Sequence, residues 1–120
     1  LEYTIKKGFN LENAAAMGDV PIDATSSDNK NVSIAGTILL RLDVNQIPTI
    51  WQTIGEDFVA KIIRPTMRSR LRMIASRFPV DDIVTRNRDK VEMEIKNELD
   101  RIFFPRGIHV ENVLLSEIEK

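Results

Sequence analysis

The sequence predicts an α+β domain, a small antiparallel-rich β-sheet packed against several α-helices. Three observations carry this. Two runs of alternating apolar and polar residues, Val20–Ala24 and Val32–Leu42, flank a polar turn. An apolar stripe through Val59, Ile63, Met67, Leu71, Ile74 and Phe78 recurs every three or four residues, the helical period. A second helical pattern leads into a last alternating stretch, Ile108–Leu115. Strands early and late with helices between them place the chain in the α+β class.

Taken in order, residues 1–19 form an N-terminal segment in which Glu2–Ile5 has strand character and Glu12–Met17 can make one helical turn. From Val20 the alternation Val20, Ile22, Ala24 marks a half-buried strand. Ser26–Asn31 is dense in turn formers, and Val32, Ile34, Ile38 and Leu40 resume the alternation, so the two runs read as a hairpin. Gly36 inside the second run predicts a bulge or a close backbone approach. A short helix is expected through Ile47, Ile50, Trp51 and Ile54, closed by Gly55. Pro65 should kink or divide the next helix, because it lacks an N–H and its ring crowds the preceding turn. Thr85 is the expected cap of the last helix, whose apolar face is Val91, Ile95, Leu99, Ile102 and Phe103. Arg88–Glu92, Lys90–Glu94 and Glu92–Lys96 have the spacing of i,i+4 ion pairs. Pro105 and Gly107 stop this helix. In the closing strand the alternation slips between Val110 and Val113, which predicts a bulge.

The whole chain limits the chemistry. Its 120 residues, 42% hydrophobic and 29% charged, suit one ordinary globular domain. No cysteine is present, which excludes disulfides, zinc–thiolate sites and thiol catalysis. A net charge of −1 gives no global attraction to nucleic acid or membrane. The longest apolar runs, such as Ala14–Met17, fall far short of the ~20 residues a bilayer span needs. His109 is the only histidine and lies out of phase with Ile108 and Val110, which reads as a solvent- or sheet-edge side chain and not as a catalytic base. Neither Asp81-Asp82 nor Glu92-x-Glu94 has the spacing of an acid pair or a calcium loop. No glycine-rich phosphate loop occurs. An enzyme is not expected, and no cofactor or metal is implied.

One feature has a functional cast. Lys61, Arg64, Arg68 and Arg72 fall within an arc of ~80° on a helix at 100° per residue, a basic stripe beside the apolar face. It could meet anionic lipid headgroups, nucleic-acid phosphate or a neighbouring subunit. The favoured reading is a solvated face, or salt bridges to the acid-rich Asp81–Asp100 region of the same or a neighbouring subunit. Arg70 falls inside the apolar arc, so that either Pro65 rotates the register or the side chain snorkels to a carboxylate. Leu71→Asp should unfold the domain, whereas Arg68→Asp, at the stripe's margin, is expected to leave it nearly intact.

Pro21–Val32 with its Ser/Thr-x-Asp turn, Ile54–Phe58 followed by Ile62–Pro65, Arg68–Ala75, Asp82–Val91, and Gly107-Ile108-x-Val110-x-x-Val113-x-Leu115-x-x-Ile118 form an ordered set of motifs. Together they resemble the SPFH, or band-7, family of prohibitin and stomatin type. The resemblance covers residues 20–118 and sets a domain at 20–120 after the segment 1–19. It implies a non-catalytic scaffold that forms homo-oligomers on a membrane, organises lipids, and modulates membrane proteases or channels. The start at Leu1 suggests a piece of a longer protein, whose membrane anchor and coiled coil would lie outside it. The alternative from another class is a nucleic-acid-binding module using the basic helix Lys61–Arg77, although no aromatic platform accompanies the charge.

Overall fold

The computed structural model describes residues 1–43 and 58–119. The expected helix through Ile47, Trp51 and Ile54 lies outside the described residues. The fold is built on the strand the alternation marks most clearly. This is β4 (Asn31–Leu42), whose Val32, Ile34, Ile38 and Leu40 are all buried on one face. One edge of β4 pairs antiparallel with β5 (Ile108–Glu119) over Ser33–Leu42. Its other edge is shared. There β3 (Ile22–Thr25) takes Asn31–Ile34 and β1 (Glu2–Ile5) takes Gly36–Leu39, both antiparallel. A two-residue strand, β2 (Gly18–Asp19), adds to β1 in parallel and completes a five-stranded sheet.

The expected bulge is there. Leu39 and Leu40 face Asn112 and Val110, so Glu111 is the extra residue, and a second slip lies between Ile34 and Gly36. Gly36 marks a close approach of two backbones. A Cβ there would stand 2.5 Å from the Leu114 carbonyl oxygen, far inside contact distance.

The N-terminal segment departs from expectation. Glu12–Met17 is not helical, because Asn10 and Asn13 turn the chain locally. Their side-chain oxygens accept from the Glu12 and Ala15 N–H groups at 2.9 and 3.0 Å, bonds that compete with a helix. The hairpin strand begins at Ile22 and not at Val20, which is 37% exposed.

One face of the sheet is covered by helices. A π-helical turn, Val59–Ile63, runs directly into α1 (Arg64–Ala75). Pro65 stands at the start of α1 and divides the helix by hydrogen-bond type. The Arg64 N–H reaches back five residues to Val59, Pro65 has no N–H to give, and regular α-helix follows without the backbone leaving the right-handed region. Every member of the predicted stripe, Val59 to Phe78, is buried. A second π-helical turn, Asp82–Arg86, precedes α2 (Arg88–Phe103). Thr85 does not cap α2. It sits inside that turn with its hydroxyl directed to the Asp81 carbonyl, and Asn87 holds the cap position with no side-chain hydrogen bond. Val91, Ile95, Leu99 and Phe103 of α2 are buried against the sheet and α1. The helix tightens into a 3-10 turn, Phe104–Arg106, and Gly107 takes φ +86°, a left-handed conformation that glycine adopts without strain.

Candidate functional site

The basic stripe is the surface the sequence singles out, and α1 presents it along the β2–β3 margin of the sheet. Arg64 is 8% exposed; its Nε donates to the Gly18 carbonyl at 3.0 Å and its Nη2 to the Ala16 carbonyl at 2.8 Å. One turn on, Arg68 forms a two-pronged pair with the fully buried Asp19 carboxylate, at 2.5 and 2.8 Å. One turn further, Arg72 Nε donates to the Asp23 carbonyl at 2.9 Å. Four-residue spacing on α1 thus matches the rise of the chain from Ala16 to Asp23. Lys61 is exposed on the turn before α1. The structure therefore places Arg64, Arg68 and Arg72 on the N-terminal segment and the first hairpin strand, not on the Asp81–Asp100 region.

Asp19 is the residue of this cluster that periodicity does not reveal. It also accepts from the Val20 N–H at 2.8 Å, which leaves its carboxylate well satisfied without water. Tyr3 is buried beside it, and burial first, with the Asp19 charge second, holds its phenol well above the ordinary range. The phenol therefore stays neutral at any ordinary pH. The arrangement is a polar clamp inside the fold, with no acid or base poised for proton transfer.

The acid-rich region does find arginines, but different ones. Arg70 snorkels out of the apolar arc to Glu98 at 3.6 Å, which decides between the two alternatives for that side chain. Glu98 also binds Arg101 at 2.5 Å, and Arg77 approaches Glu94 at 3.9 Å. Arg101 first, then the charges of Arg70 and Arg77, hold the Glu98 carboxyl below the usual range. Of the i,i+4 pairs expected on α2, Arg88–Glu92 gives way to partners on β5, and Glu94 turns to Arg77. Arg88 donates to the Ser116 carbonyl at 3.4 Å, and Glu92 accepts from the Leu115 N–H at 2.6 Å. At the hairpin turn Ser26 donates to Asp28, whose carboxylate also accepts from the Val80 N–H at 3.0 Å and so ties the turn to the end of the helical layer.

His109 is half-buried. Its Nδ1 lies 2.9 Å from Asp100 Oδ1, and its ring meets Phe104 edge to face at 5.9 Å. Asp100 also accepts from the Val110 N–H, so this contact orders the strand start. Among the described residues no group of three or more acidic or histidine side chains could hold a metal ion. Among them, too, no helix is long and apolar enough to cross a membrane.

Comparison with known proteins agrees with this architecture. The model of the SPFH domain / Band 7 family matches residues 2–120. The chain belongs to that family. The match takes in residues 2–19, whose β1 and β2 are part of the same sheet. Among curated proteins, the SPFH domain is similar to prohibitin 1 of Mus musculus, 27% identical over 100 residues, or 83% of this chain and 36% of the relative. It is 30% identical to prohibitin-2 of Saccharomyces cerevisiae over 76 residues, 63% of this chain and 24% of that protein. Prohibitin-1 of Schizosaccharomyces pombe is 26% identical over 93 residues, 78% of the chain and 33% of the relative. The chain thus spans about a third or less of the length of these relatives.

Proposed function

We propose that this SPFH domain is a non-catalytic scaffold module of a membrane-associated protein. It assembles into homo-oligomers that organise the membrane or modulate membrane proteases and channels. The observation that carries this reading is the family match over residues 2–120, with prohibitins as the curated relatives. The use of the charged side chains supports it. Arg64, Arg68, Glu92, Glu98 and Asp100 bind other parts of the same chain.

Of the basic stripe, Lys61 and Arg72 are the exposed members, and any contact with anionic lipid or a neighbouring subunit falls chiefly to them. Each basic group near an anionic surface contributes ~1 kcal/mol, so such contact becomes useful only through the avidity of an oligomer. The nucleic-acid alternative is weakened, because Arg64 and Arg68 spend their donors inside the fold and offer no continuous row to phosphate.

The test is the native size and location of the longest gene product containing this domain, extracted from membranes in mild detergent. A large homo-oligomer in the membrane fraction is expected. A monomer that stays in the soluble fraction after lysis would overturn the reading. Flotation of the chain with anionic and neutral vesicles checks the lipid contact. Weak, salt-sensitive binding to the anionic vesicles alone should disappear in Lys61→Gln/Arg72→Gln.

A further inference from the structure

Among the described residues, the outer edge of β5 is the longest strand edge that has no strand beside it. Such an edge is ordinarily a template on which another strand can add. Here three N–H groups in its middle stretch, from Val110 to Leu115, are already taken. Val110 donates to Asp100 Oδ1 at 2.9 Å, Val113 to the Asn112 side chain at 2.9 Å, and Leu115 to Glu92 Oε2 at 2.6 Å. Two of these acceptors are carboxylates of α2, which runs antiparallel to β5.

The spacings agree. Glu92 and Asp100 are separated by about 12 Å along a helix rising 1.5 Å per residue. Val110 and Leu115 are about 13 Å apart, because bulged Glu111 removes one step from the strand. The bulge that the sequence pattern announces is therefore what brings strand amides into register with helix carboxylates. Both carboxylates are half-buried. An incoming strand would have to displace them and leave each without its donor, a costly exchange. The opposite margin of the sheet uses the same device with the charges reversed, since Arg64 and Arg72 occupy the carbonyls of Ala16, Gly18 and Asp23.

We infer that Glu92 and Asp100 guard the β5 edge against the β5 strand of a second copy of this chain. Two copies of the chain therefore do not continue one sheet across paired β5 edges. The inference stands on these contacts alone and does not depend on the scaffold reading.

The experiment combines residue-resolved amide exchange with sedimentation of the 120-residue chain across a wide range of concentration. In Glu92→Ala/Asp100→Ala the Val110 and Leu115 amides should exchange about tenfold faster, the order expected for a lost charge-assisted hydrogen bond, while the buried amides of Ile38 and Leu99 hold. As concentration rises, this variant should form a dimer in which the β5 amides regain protection. Glu92→Gln/Asp100→Asn, which keeps a neutral acceptor at each position, should stay monomeric. Should the double alanine variant not fold, the single variants decide, since Glu92→Ala must release Leu115 alone and Asp100→Ala must release Val110 alone. Three results would overturn the proposal. They are unchanged exchange at both amides, a folded alanine variant that exchanges faster yet never dimerises, and a wild-type dimer already protected along β5.

Discussion

Replacing Arg68 should damage this domain far more than its place at the margin of the apolar stripe suggests. The side chain forms two hydrogen bonds to Asp19, whose own side chain is fully buried. Removing one partner of a buried ion pair strands the other charge and costs ~3–5 kcal/mol. Arg68 is 39% exposed, so solvent screens part of the interaction, and Arg68→Met is expected at the low end, ~2–3 kcal/mol. Arg68→Asp sets a second carboxylate against the first and should cost more, a large share of a total stability of ~5–15 kcal/mol. For a domain of this size each kcal/mol lowers Tm by ~3–5 °C. Urea and thermal melts of the wild type, Arg68→Met, Asp19→Asn and the double variant form a cycle in which the pair should show a coupling of ~1 kcal/mol or more. Arg68→Met melting with the wild type, or a coupling near zero, would show that the clamp does not hold the N-terminal segment.

Leu71 is 1% exposed in the middle of the α1 stripe, so Leu71→Asp loses packing of ~2–5 kcal/mol and buries an unpaired charge; loss of cooperative unfolding by circular dichroism is the expected result. Gly36→Ala should lower Tm clearly, because the new methyl would press on the Leu114 carbonyl where β4 and β5 come closest; an unchanged melt would mean that β5 yields there at no cost. The pH dependence follows from Glu98 and Asp28, which are held below the ordinary carboxyl range by Arg101 and by Ser26 respectively. A depressed carboxyl stabilises the fold fully above its unfolded value of ~3.9–4.3, and that contribution disappears as pH falls through the folded value. Denaturation midpoints should therefore be flat near neutrality and drop below about pH 4, and Glu98→Gln should lessen the drop.

Periodicity marked the buried apolar face of each main element. The stripe from Val59 to Phe78, the alternation in β4 and the slip in β5 all record the face each element turns to the core. Burial of apolar area is a local tendency repeated at the period of the element, so it shows in a single chain. The antiparallel-rich α+β class follows from the order of those elements, and the SPFH resemblance from the residue motifs they carry. Polar partnership has no period, and there only the tertiary structure decided. Nothing near Arg64 or Arg68 in the chain announces Gly18 and Asp19, which lie 46 and 49 residues away. Glu92 and Asp100 look like one solvated helix face until β5 is laid beside them. A hydrogen bond depends on where two distant groups meet to within a fraction of an ångström. The same arginine can therefore read as a free surface charge in the sequence and stand as a buried clamp in the fold.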